Sequence, residues 1–158
     1  MNDLTLIIPA KNENESLPKV LGELEGFNFK KNVILEASDK LTIQAIKNYD
    51  CEIIYQESNG YGDALKKGIE TTETEFFCIF NADGSFNPKE LDQMISKLKD
   101  DKCDFVFASR YEKDCGSEDD TLITLIGNYI FTFFGNIFFK LKITDILYTF
   151  VMARTSCA

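Results

Sequence analysis

Histidine and tryptophan are both missing from these 158 residues. The missing tryptophan excludes little. The missing histidine excludes much, because histidine is the commonest general base and a common zinc ligand. Ser-His-Asp, Cys-His and HExxH sites are all ruled out, so acid–base work would fall to Asp, Glu, Lys, Tyr or Cys. Positive charge is scarce as well. Lys and Arg total 17 against 26 Asp and Glu, a net charge of -9. Such a chain does not bind nucleic acid through a general basic field. An anionic ligand would need local Lys or Arg, backbone N–H groups or a metal cation. No CxxC occurs among Cys51, Cys78, Cys103, Cys115 and Cys157. Their odd number points to free thiols in a reducing cytosol. Met1-Asn2-Asp3-Leu4 has no basic n-region, so the opening does not read as a signal peptide.

What is present is enough to fold. Hydrophobic residues make up 44% and aromatics 13%, which suits one domain with a real core. Short apolar runs alternate with helical patterns. LTLIIP (4–9), NVILEA (32–37), EIIY (52–55), EFFCIF (75–80) and DFVFAS (104–109) read as strands. Between them, Leu17, Val20, Leu21 and Leu24 recur at helical spacing, with Asn12 or Asn14 as cap, Pro18 in the first turn and Gly26 as the stop. Helices are also predicted over 42–49, 60–72 and 88–99, the last starting at Pro88. Five alternations with short links predict an α/β fold, a mostly parallel sheet covered by helices on both faces. FVMARTSCA (150–158) looks like a sixth strand with no helix behind it; we take this as the end of a truncated domain.

In such sheets ligands bind beyond the carboxyl ends of the strands. The stretches 9–13, 36–39, 56–62, 81–85 and 109–113 therefore carry the candidates. FNADGSFNPKEL (80–91) holds Asp83 between Asn81 and Gly84. Asp83 either builds the turn or shares a divalent cation with a ligand's phosphates, helped by Ser85 or Asn81. SNGYGDALKKG (58–68) places Gly60 and Gly62 before a helix, allowing close backbone approach or a plain flexible link. Glu36 could accept hydrogen bonds from a base or ribose, whereas Glu13 and Glu15 read as solvated or capping carboxylates. Arg110, one of two arginines with Arg154, suits either a phosphate or a salt bridge.

Beyond residue 110 a polar stretch, YEKDCGSEDD (111–120), precedes a nearly wholly apolar one, LITLIGNYIFTFFGNIFFKLKI (122–143). The latter is about long enough to span a bilayer. Gly127, Asn128, Gly135 and Asn136 recur eight apart within it, and Lys140 and Lys142 close it. This pattern favours one or two helices lying on a membrane surface or covering the sheet.

Together, LIIPAKNENESLPKVL, NGYGDALKKGI, FNADGSFNPKEL, FASRYEKD and ITDILYTF resemble, in this order, segments of the family 2 glycosyltransferases of the GT-A fold. Within that family they resemble the dolichyl-phosphate mannose synthases and other polyprenyl-phosphate glycosyltransferases. The resemblance covers nearly the whole chain and implies one domain over 1–158. Residues 1–110 would bind the nucleotide sugar and 111–158 would form an acceptor and membrane-proximal part. It implies Pro9, Ala10 and Glu13 in the nucleotide pocket, with Gly62, Asn81 and Ala82 also on the donor and Glu36 at the base. Asp83, assisted by Ser85, would hold Mg2+ or Mn2+ on the donor diphosphate. Arg110 would contact phosphate and Asp145 would lie near the reaction centre. The implied reaction is an inverting sugar transfer to a polyprenyl phosphate at the cytoplasmic face of a membrane. Transfer to a sugar or other hydroxyl, with Asp145 as general base, is the alternative; nucleotidyl transfer and an inactive nucleotide-sugar-binding fragment are the others. Three positions depart from the family pattern. Asn81 replaces the first metal-motif acid, EASDK stands after the second strand, and 146–150 read Ile-Leu-Tyr-Thr-Phe.

Overall fold

A computed structural model of the chain describes residues 3–100, 103–110, 122–140 and 143–158. The polar stretch 111–120 with Cys115, the site stretch beyond Arg110, and Lys142 lie outside the described residues. The elements follow in the order β1 (Leu4–Pro9), α1 (Leu17–Glu23), β2 (Lys30–Leu35), α2 (Lys40–Ile46), β3 (Glu52–Tyr55), α3 (Tyr61–Glu70), β4 (Phe76–Ile79), α4 (Glu90–Asp100), β5 (Phe105–Phe107), α5 (Leu122–Phe138) and β6 (Val151–Arg154). A 3-10 turn, Thr155–Cys157, follows β6.

The strands lie in the order β3-β2-β1-β4-β6-β5. β1 pairs in parallel with β2 and β4, and β2 with β3. β1 and β2 are buried almost throughout, as strands covered on both faces must be. The sheet is mostly parallel, as expected, and the sixth strand is its antiparallel member. β6 runs antiparallel to β4 and inserts between β4 and β5. The bonds Ala108 N to Phe150 O and Arg154 N to Asp104 O make it antiparallel to β5 as well. The chain leaves β5 and re-enters the sheet at the same end, so the returning strand must run backwards.

Helix ends differ from the sequence reading for local reasons. Ser16, not Asn12 or Asn14, stands at the N-cap of α1, and Gly26 lies beyond its end. Asn12 instead takes a positive φ of 60°, a conformation that asparagine tolerates better than most residues. α4 begins at Glu90, because Pro88 sits in the preceding turn and Asn87 Oδ1 accepts from Lys89 N. α3 packs on β1 and β2, with Gly68 where a Cβ would come within 2.4 Å of Ile7 Cγ2. Ile7, Ile34, Ala64, Phe77 and Ala153 form the core beneath it.

Two compact units emerge. One comprises Met1–Val106 with Met152–Ala158, the other Phe107–Val151. The second is built on α5 and the segment after it, and its polarity is inverted. Asn128 and Thr132 are buried, as is Gly135, and Asn136 is half-buried. Tyr129, Ile130, Phe131, Phe133, Phe134 and Phe138 are exposed. No helix among the described residues is long and apolar enough to cross a membrane.

Candidate active site

Because β3, β2, β1 and β4 are neighbours and parallel, their carboxyl ends share one edge. Pro9 ends β1, and the predicted residues Ala10, Glu13, Glu36, Gly62, Asn81, Ala82, Asp83 and Ser85 follow these strands, Gly62 in the first turn of α3. Ala10 and Ala82 are buried. Lys11 Nζ donates to Glu36 Oε1 at 2.8 Å, and Ser38 Oγ donates to Glu36 Oε2 at 3.2 Å. The Lys11 hydrogen bond holds the Glu36 carboxyl below its usual range and raises the Lys11 ammonium. Glu13 accepts a short hydrogen bond from Ser16 Oγ, while its backbone N–H donates to Thr42 Oγ1 at 3.0 Å.

Asp39 organises this corner. Its Oδ1 accepts from Thr42 N at 3.2 Å, capping α2, and its Oδ2 accepts from Asn12 N at 2.7 Å. Burial pushes the Asp39 carboxyl up, but these bonds outweigh it and hold the group low. Sequence reasoning placed Asp39 in the candidate stretch 36–39 but gave it no role of its own; an Asp shortly ahead of a helical pattern was the available signal.

At the end of β4 the chain turns tightly. Phe80 and Phe86 are buried and meet edge to face with centroids 5.7 Å apart. Between them, Ser85 N donates to Asp83 Oδ1 at 2.9 Å and Asn81 Nδ2 donates to Ser85 Oγ at 3.0 Å. Gly84 has φ 84°, which favours glycine. Asp83 therefore does build the turn, with one oxygen. The side chain is exposed, and among the described residues Oδ2 has no hydrogen-bond partner. One such oxygen suits a hard cation that takes its other ligands from water and phosphate. Among the described residues no three Asp, Glu or Cys side chains gather as a metal cage, so a cation here would rest on few protein ligands.

Arg110 and Asp145 belong to the second unit. Arg110 Nε donates to Asp145 Oδ2 at 2.8 Å and Nη2 donates to Oδ1 at 3.1 Å. Asp145 is 1% exposed. The Arg110 guanidinium also lies over the Tyr148 ring, 5.2 Å from its centroid. Burial raises the Asp145 carboxyl, but the Arg110 hydrogen bonds and charge, with a bond from Asn128, outweigh it and hold the carboxyl below its usual range. Asn128 and Tyr148 were not singled out for this site from the sequence. The eight-residue recurrence of Asn128 and Asn136 was the signal.

Comparison with known proteins follows the same lines. Residues 5–158 match the family model described as Glycosyl transferase family 2. An uncharacterized glycosyltransferase of Mycobacterium tuberculosis is 27% identical over 95 residues, covering 60% of this chain and 43% of that protein. The glucosyl-3-phosphoglycerate synthase of Mycobacterium tuberculosis, crystallised with Mn2+, uridine diphosphate and glucosyl-3-phosphoglycerate, superposes with a TM-score of 0.76 at 12% identity, over 98% of this chain and 57% of its own. The mannosyl-3-phosphoglycerate synthase of Rubrobacter xylanophilus gives 0.71 at 17% identity, over 99% and 54%. The chain thus spans about half the length of these proteins. The two synthases share its mostly parallel, GT-A-like fold. With nearly every residue inside the family match, the chain belongs to glycosyl transferase family 2.

Proposed function

We propose that the chain transfers a sugar from a nucleotide-diphosphate sugar to a polyprenyl phosphate, inverting the anomeric carbon, at the cytoplasmic face of a membrane. The lipid acceptor rests chiefly on the inverted polarity of α5. Asn128 and Thr132 are buried and Asn136 is half-buried, while its aromatic side chains face out. An exposed apolar face of this kind suits a lipid surface. Lys140, exposed beyond the helix end, would meet anionic head groups.

At the strand ends Pro9, Ala10, Glu13, Glu36, Gly62, Asn81 and Ala82 would receive the nucleotide. Asp83 Oδ2, with Ser85, would hold Mg2+ or Mn2+. Such a cation, when bound, shields the charge that builds on the departing diphosphate. An acceptor phosphate oxygen attacks the anomeric carbon while its bond to the donor diphosphate breaks, the electron pair leaving with the nucleoside diphosphate. The phosphate monoester has a second pKa of about 6 and carries most of its second charge near neutrality, so it needs no strong base. That agrees with Asp145, whose two oxygens are both taken by Arg110 and Asn128. Arg110 is assigned to phosphate.

A second reading, transfer to the hydroxyl of a small phosphorylated acceptor, draws on the phosphoglycerate named in both structural neighbours. It requires a base, for which Asp145 is poorly disposed. The test is transfer from a panel of nucleotide sugars, with Mn2+, to dispersed polyprenyl phosphate and to 3-phosphoglycerate. Product on the lipid is expected. Product on the soluble alcohol alone overturns the lipid acceptor, and no product on either acceptor overturns transferase activity for this chain.

A further inference from the structure

We propose that Asn128 is a positioning residue for the Arg110–Asp145 pair, locking the carboxylate in the plane that Arg110 grips and tying it to α5. Its consequence for turnover rests on the proposed function; the positioning itself does not.

Asn128 is 2% exposed and uses both ends of its amide. Nδ2 donates to Asp145 Oδ1 at 2.9 Å, and Oδ1 accepts from Leu147 N at 3.3 Å. Asp145 Oδ1 therefore receives two donors from different elements, Asn128 Nδ2 and Arg110 Nη2. The terminal torsion of an aspartate is broad, and Arg110 restrains it from one side, through its fork and a longer bond from its backbone N to Oδ2 at 3.4 Å. A second donor at Oδ1 narrows that freedom. It does so without charge, so it stabilises the carboxylate without competing for the role of Arg110 as counter-ion.

The rest of the row steadies Asn128. Four residues on, Thr132 Oγ1 accepts from Ile146 N at 3.1 Å. Four further, Asn136 exchanges two bonds with Ile143, Nδ2 to O at 2.9 Å and N to Oδ1 at 3.2 Å. Spacing of four puts all three on one helix face, the face turned away from the exposed aromatics. The same helix that offers an apolar surface thereby holds the segment carrying Asp145. Among the described residues Arg110 is the charged group facing Asp145, and Tyr148 lies on the guanidinium.

The experiment exploits the chain's two arginines, Arg110 and Arg154. Each gives one Nε–Hε resonance in a 15N-labelled sample, and Arg154→Lys assigns them. In wild type the Arg110 resonance is expected to persist as pH falls until Asp145 protonates. In Asn128→Ala it is expected to shift and to be lost at a proton concentration about tenfold lower, one pKa unit. Asn128→Asp, which keeps the acceptor for Leu147 N but sets a like charge beside Asp145, is expected to lose it earlier still and serves if the alanine variant does not fold. Thr132→Ala, which loosens the same helix without touching Asp145, is expected to leave the resonance in place. An Arg110 resonance and titration unchanged in both Asn128 variants overturns the positioning role, whatever turnover does. A moved titration with a tenfold lower kcat and unchanged donor KM supports both this role and the proposed function. A moved titration with wild-type turnover supports the positioning role and removes Arg110 from the transfer.

Discussion

Arg110 and Asp145 meet as a two-pronged ion pair, with Nε to Oδ2 at 2.8 Å and Nη2 to Oδ1 at 3.1 Å. The carboxylate is fully buried and the guanidinium keeps a quarter of its side chain exposed. Removing one partner of such a pair strands the other. Asp145→Ala is therefore expected to cost about 3 kcal/mol, the low end for a buried pair because Arg110 retains some water. The carboxyl is held below its ordinary value, so its stabilisation is fully present above the unfolded pKa of about 3.9 and is lost as pH falls through the lower folded value. Urea titrations of wild type and variant should show a wide gap near neutrality that closes in strong acid. A gap that stays constant with pH would remove the ion pair as its cause.

Asp83 offers a clean separation of turn from ligand. Asp83→Asn keeps an oxygen to accept from Ser85 N but loses the charge a cation needs. Stability is expected to change by less than about 0.5 kcal/mol, while Mn2+-dependent binding of a nucleotide sugar is lost. Thermal shift with and without Mn2+ reads both. Retained metal-dependent binding would leave Asp83 with the turn alone.

Gly68 sits where a Cβ would meet Ile7 Cγ2 at 2.4 Å and Ile34 Cδ1 at 3.2 Å. Gly68→Ala gains about 1 kcal/mol of helix propensity but overpacks a filled layer, at about 1–3 kcal/mol. Net destabilisation is expected. Ile7→Ala removes the clashing methyl, so it should cost less in the Gly68→Ala background than in wild type. Additive costs in a double-mutant cycle would disprove the contact.

Asn32 lies fully buried in β2, and among the described residues neither end of its amide has a hydrogen-bond partner. A buried amide without partners costs about 1–3 kcal/mol. Asn32→Leu, close in shape and apolar, should raise stability by a similar amount in chemical denaturation. Destabilisation would show that the amide is satisfied by water.

Much of the fold could be read locally. Of Leu91, Met94, Ile95 and Leu98, whose spacing predicts one buried face of α4, all but the half-buried Ile95 are buried, and so are Leu17, Val20, Leu21 and Leu24 around α1, because a helix displays residues three and four apart on one face. The Asp83 turn was equally legible, since Asn, Asp and Gly announce the backbone they favour. Asp39 was less so: a cap is visible from sequence, but its bond to Asn12, 27 residues away, depends on two strands lying side by side.

The chain's own order of residues thus determined the alternating elements, the acid-rich, histidine-free chemistry and the turn at Asp83, since each depends on neighbours within a few positions. Tertiary structure alone decided that β6 enters the sheet backwards, that Arg110 finds Asp145 across 35 residues, and that α5 turns its asparagines inward and its aromatics out. These outcomes depend on which surfaces meet after the chain closes on itself. An apolar helix is compatible with a buried core or an exposed face until its few polar side chains have partners. Here the backbone of 143–147 supplies them.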